Sequence, residues 1–99
     1  MFKVIISPVA KQNIAEAAKW YNSQRNNLGK RFTNEVNSHI RHIRKNPLAT
    51  AIRYDDVRTA VLDIFPYLIH FFVDEELQIV VILTVLHTSR NPDIWKGYR

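Results

Sequence analysis

Residues 77–86, Leu-Gln-Ile-Val-Val-Ile-Leu-Thr-Val-Leu, constrain the fold more than any other stretch. Apart from Gln78 and Thr84 the run is aliphatic at odd and even positions alike. A strand that lies against water on one face alternates polar and apolar residues. A strand apolar on both faces is an interior one, flanked by other strands. The chain must therefore supply β-structure for both of its edges. Three segments qualify: the short β-rich run 2–6, the loosely alternating run 57–65, and 67–73 after Pro66. The acidic triplet Asp74-Glu75-Glu76 is a turn between the last two strands. Short connections between consecutive strands favour an antiparallel meander. The run 2–6 is expected at the sheet edge beside the last strand.

The middle of the chain has a different period. Ser7-Pro8 reads as a helix start, with the hydroxyl as N-cap and proline at the first helical position, where its missing N–H costs nothing. Ala10, Ile14, Ala17 and Tyr21 then share one helical face. Polar residues 22–27 end this helix. A second one carries Leu28, Phe32, Val36, Ile40 and Ile43 as its apolar stripe and stops at Asn46-Pro47, because a residue before proline is pushed out of the helical region. The fold class expected is α+β: a strand, an α-helical hairpin and a three-stranded antiparallel meander, with the helices packed on one face of the sheet. Its 99 residues make a single domain, 1–99.

Composition removes several function classes. There is no cysteine, which excludes disulfides and thiolate metal sites. No apolar run approaches the roughly 18 residues of a membrane helix, and the N-terminus lacks the order of a signal peptide. The expectation is a cytoplasmic protein with no membrane partner. Residues 1–50 hold nine Lys and Arg against Glu16 and Glu35, while residues 51–99 hold five against seven acids. A basic half suits a polyanionic or acidic partner.

Candidate site residues cluster near the end of the aliphatic run. His87 sits where that strand leaves the core, and its imidazole exchanges protons near neutral pH. Arg90 follows three residues later, and Arg58, near the start of its own strand, is expected to reach the same surface. Two guanidiniums and an imidazole suit a phosphate or carboxylate. In metal-free RNA cleavage they would stabilise the phosphorane and shuttle the proton. Trp95 reads as the anchor that folds the C-terminal tail back, with stacking on a base as the alternative. His70 reads as a packed or surface strand residue. Trp20 and Tyr21 read as core or interface anchors. His39 and His42, at i,i+3, find no nearby carboxylate or thiol to complete a metal site, so no metal and no cofactor are expected.

These elements in this order resemble the RelE/ParE superfamily of toxins from bacterial type II toxin–antitoxin systems. The marks are Ser7-Pro8-x-Ala10, Trp20-Tyr21, Leu28-Gly29-x-Arg31-Phe32, Lys45-Asn46-Pro47, Val57-Arg58, Phe65-Pro66-Tyr67-Leu68-Ile69 and Leu86-His87-x-x-Arg90-x-Pro92 with Trp95. They span nearly the whole chain and look most like the ParE branch.

The resemblance implies a growth-arresting toxin neutralised by a cognate antitoxin. Trp20, Arg31, Arg41 and Arg44 are the candidates for antitoxin contact. ParE-like members inhibit DNA gyrase; RelE-like members cut mRNA on the ribosome without a metal. The segment 46–56 has no lysine and carries Asp55 and Asp56, a departure from the RelE pattern that favours gyrase as target. On that reading Arg58, His87, Arg90 and Trp95 are target-binding residues. On the nuclease reading His87, Arg58 and Arg90 are catalytic. A third reading is an inactive antitoxin-binding module.

Overall fold

A short strand, β1 (Lys3–Ile6), gives way to helix α1 (Pro8–Gln24) at Ser7. The computed structural model describes residues 2–89. The Ser7 hydroxyl accepts the Ala10 N–H at 3.0 Å, capping the helix as its sequence implies. It also donates to the Leu83 carbonyl at 2.7 Å, which ties the helix start to the sheet.

Helix α1 is joined to α2 (Leu28–Lys45) through Asn27, whose φ of 68° makes the reversal. The two helices come close at Gly29, whose N–H donates to the Asn22 side chain at 2.8 Å. A Cβ at Gly29 would stand 2.2 Å from the Ala18 carbonyl oxygen, so the hairpin closes only over glycine. The expected stripes face inward: Ala10 and Ala17 from α1, and Phe32, Val36, Ile40 and Ile43 from α2, are buried. Tyr21, Phe32, Phe65 and Tyr67 form a contiguous aromatic group, with neighbouring ring centroids 4.8–6.2 Å apart.

The sheet has five strands in the order β1-β5-β4-β3-β2, with β2 (Ile52–Tyr54), β3 (Val57–Val61), β4 (Tyr67–Asp74) and β5 (Ile79–His87). The expected meander is β3-β4-β5, all antiparallel. As expected, β1 lies at the edge beside β5; it runs parallel to it, Lys3 opposite Ile79 and Ile6 opposite Ile82. The helices lie over one face, packing on Ile69, Phe71, Val80, Ile82 and Val85.

Two boundaries differ from the sequence expectation. The segment 46–56 is not a plain connection. It contains a 3-10 turn (Pro47–Ala49) and the additional strand β2, which pairs with β3 across a two-residue loop. That loop is Asp55-Asp56, both left-handed at φ 41° and 67°, the conformation that matches hairpin twist. The two acids thus turn a hairpin at the edge of the sheet. Strand β3 also stops at Val61 rather than at 65. Leu62 and Phe65 remain buried, so the connection 62–66 follows the core without staying in the ladder.

Candidate functional site

The site is built where β1 ends and β5 continues. From Ile79 to Ile82, β5 bonds to β1 on one edge and β4 on the other. Beyond Ile82 the β1 chain has left the sheet to start α1, and side chains from that helix take over the edge. Ser7 holds the Leu83 carbonyl, and Asn13 Oδ1 accepts from the Thr84 hydroxyl at 2.5 Å and the Val85 N–H at 3.1 Å. At this point β5 has one residue more than β4: Ile82 lies opposite Phe71 and Thr84 opposite His70. Such a bulge shifts the alternation by one position. Ile82 and Val85, both core residues under the helices, are three apart instead of two or four. His87, two beyond Val85, therefore faces the helices as well. Without the bulge it would point to the opposite face.

His87 stands directly opposite Tyr67, their rings edge to face at 5.3 Å. Its Nδ1 accepts the Ser89 N–H at 3.1 Å and lies 2.8 Å from the Ser89 hydroxyl. A nitrogen that accepts a main-chain N–H carries no proton, so the neutral ring holds its proton on Nε2. The Pro66 carbonyl accepts the Thr88 N–H at 2.8 Å and closes the corner. Trp20 arrives from the last turns of α1, 57% exposed and edge to face with Tyr21 at 5.0 Å.

Two adjoining cavities open between these rings. One, of about 500 Å³, is lined by Trp20, Tyr21, Pro66, Tyr67 and His87. The other, of about 180 Å³, shares Trp20, Tyr67 and His87 and adds the polar Asn13 and Glu16 with Ala17, Val85 and Leu86. Burial, together with the neighbouring Tyr67 hydroxyl, pushes the Tyr21 phenol above its usual value and keeps it neutral. The walls of the larger cavity are thus mainly aromatic and apolar, and those of the smaller one mix polar and apolar groups. Among the described residues no lysine or arginine lines either cavity.

Arg58 is the main correction to the sequence reading. It stands opposite Phe71, whereas His87 stands opposite Tyr67, four positions away along β4. At the usual rise that is about 13 Å along the strand, with two strand spacings to add. Its guanidinium instead donates to the main-chain carbonyls of Thr50 and Leu48, holding the 3-10 turn and its C-cap against the sheet. The structure does not bring Arg58 to His87. Arg90 and Trp95 lie outside the described residues.

The candidates for antitoxin contact separate into two places. Trp20 belongs to the aromatic corner. Arg31, Arg41 and Arg44 are exposed on α2, Arg44 with its Nε on the Phe2 carbonyl at 2.9 Å.

His70 is fully buried on the sheet face opposite the helices, its Nδ1 3.1 Å from the Tyr54 hydroxyl. Burial, with the Arg53 charge adding to it, lowers its pKa to about 4. It is a neutral structural group. His39 does have carboxylate neighbours, contrary to expectation: Glu35 one turn before it and Asp63 from the connection after β3. The Glu35 spacing is visible in the sequence; the Asp63 contact is not.

The comparisons with known proteins agree with this architecture. A family model described as ParE toxin of type II toxin-antitoxin system, parDE, matches residues 4–92. Among solved structures, the chain is similar to one from the chromosomal ParDE toxin–antitoxin system of P. aeruginosa, with TM-score 0.79 and 15% identity, covering 90% of this chain and 98% of that one. The isolated E. coli RelE toxin superposes with TM-score 0.69 and 14% identity over 98% of this chain and 95% of that one. A chain of the RelBE2 toxin–antitoxin complex from Mycobacterium tuberculosis gives TM-score 0.61 and 17% identity over 87% and 96%. No curated protein matches the chain. No helix among the described residues is long and apolar enough to cross a membrane.

Proposed function

The chain belongs to the ParE toxin family of type II toxin–antitoxin systems, and from that premise we propose that it arrests growth by gripping DNA gyrase through the aromatic corner around His87. The observation that carries this reading is the separation of Arg58 from His87. Cleavage of RNA without a metal needs cations placed on the phosphate beside the proton-transfer group. Here the described walls around His87 are Trp20, Tyr21, Pro66 and Tyr67, which suit an apolar or aromatic side chain of a protein.

The partner that neutralises it is a cognate antitoxin, a reading supported by the ParDE and RelBE2 assemblies among the similar structures. Its contacts are Trp20 and the exposed α2 arginines Arg31, Arg41 and Arg44. An acidic, amphipathic segment that is disordered alone fits such a basic surface.

One observation favours the nuclease alternative: the Ser89 N–H donates to His87 Nδ1 and so fixes the orientation of a ring that could transfer a proton through Nε2. Expression of the free chain separates the two readings. DNA double-strand breaks with intact mRNA are expected. Codon-linked mRNA cuts that disappear in His87→Ala would overturn the gyrase reading.

A further inference from the structure

The side chains of Glu35, His39 and Asp63 converge at the other end of the 62–66 connection, outside the aromatic corner. We propose that these three residues form a binding site for a divalent transition ion of the zinc class.

The argument begins with the backbone. Glu35 and His39 are one turn apart on α2 and so project from the same side of the helix. The Glu35 carboxylate accepts the Ile64 N–H at 3.2 and 3.1 Å and the Phe65 N–H at 3.2 Å. These bonds clamp the connection to the helix and bring Asp63, the residue just before Ile64, to the imidazole. His39 Nε2 and Asp63 Oδ2 are 3.4 Å apart. A tetrahedral zinc with bonds of about 2.1 Å separates its donor atoms by about 3.4 Å. One edge of the coordination polyhedron is therefore already at its proper length. The third donor is near: one ligand atom from each residue lies within 4.8 Å of the others. Glu35 closes the remaining gap by a small side-chain rotation. Its Oε2, which accepts only from the Ile64 N–H, keeps a second lone pair for the ion, while Oε1 accepts from both Ile64 and Phe65.

The donor set identifies the class of ion. One imidazole nitrogen and two carboxylate oxygens suit zinc and its first-row neighbours, with a water as fourth ligand. Magnesium prefers an all-oxygen octahedron. Access is direct, since the Asp63 side chain is 84% exposed and that of His39 21%. A bound ion would fasten the connection 62–66 to α2 a second time. That connection delivers Pro66 and Tyr67 to the corner cavity, so the ion stiffens one wall of it.

The test uses the full chain equilibrated by dialysis with micromolar zinc chloride, the bound metal being counted by atomic emission. About one zinc per chain is expected, with no equivalent uptake of magnesium. His39→Ala and Asp63→Asn, both at the surface, should each weaken binding at least tenfold while leaving the circular dichroism spectrum and the zinc-free Tm unchanged. His42→Ala and His87→Ala should bind as the parent does. The proposal is overturned if uptake does not saturate near one ion per chain, or if it survives His39→Ala, or if it follows His42 or His87 instead.

Discussion

The middle of β4 and its first residue use their polar groups in opposite ways. Around Phe71 and His70, in mid-strand, each such group is committed to the fold. Arg58 holds the Leu48 and Thr50 carbonyls, and His70 meets the Tyr54 hydroxyl inside the protein. At the end that carries Tyr67, the aromatic rings form walls around open volume, and His87 keeps Nε2–H available. An arginine and a histidine that look equally chemical in the sequence thus differ in kind. One pair builds the domain, and the other corner presents a surface. A site is defined by groups the fold leaves unengaged, more than by their residue types.

Substitutions in the two regions have effects that fall in a definite order. The largest concerns the element common to both regions, the helical hairpin. Gly29→Ala pushes a methyl into the Ala18 carbonyl, which is backbone and cannot give way easily. A loss of about 3 kcal/mol is expected, visible in urea unfolding; a loss under about 0.5 kcal/mol would mean the helices do not meet there.

Next comes the committed region around His70 and Arg58. The folded-state pKa of His70, about 4, lies below its ordinary 6.5. The unfolded chain therefore binds a proton first as pH falls. The stability contributed by the neutral ring is complete above pH 6.5 and is lost progressively between there and pH 4, by about 3 kcal/mol at most. His70→Gln should flatten that part of the pH–stability curve. An unchanged slope would place the imidazole in water. Arg58→Met should cost about 2 kcal/mol, because it leaves two carbonyls without their charged donor, and should leave the corner's function intact.

The smallest effect tests how the corner is aimed. Asn13→Ala removes the acceptor for Thr84 and Val85 at the exposed edge of β5. About 1–2 kcal/mol is expected, together with faster amide exchange at Val85. Slow exchange unchanged from the parent would mean that the β5 edge does not depend on Asn13.

Much of this molecule was legible in the sequence, for reasons that can be named. Ser7-Pro8, the two apolar stripes and Asn46-Pro47 carry local physics that tertiary structure did not override. Gly29 appeared as part of a motif, and the structure adds that the helices touch there. Strand β2 was hidden because Ile52 and Arg53 are exposed and Tyr54 is only half-buried, so no apolar run marks it. Its turn, Asp-Asp, lacks the glycine that usually signals such a loop.

The β5 bulge was hidden for the opposite reason. When odd and even positions are both aliphatic, a one-residue shift leaves no trace in the pattern. The sequence could place His87 at the end of a strand but not on a face. It offers Arg58 as a companion but does not set their register, and the fold keeps the two apart.

On the proposed function, the corner at His87 grips a protein target and the region around Arg58 does not. The direct measurement is inhibition of DNA gyrase supercoiling by the purified chain, with His87→Ala and Arg58→Met assayed beside it at 25 °C. The concentration for half-inhibition is expected to rise at least tenfold in His87→Ala, with its Tm within a few degrees of the parent, and to stay within twofold in Arg58→Met. Full inhibition by His87→Ala together with loss of inhibition in a folded Arg58→Met would contradict the proposed function.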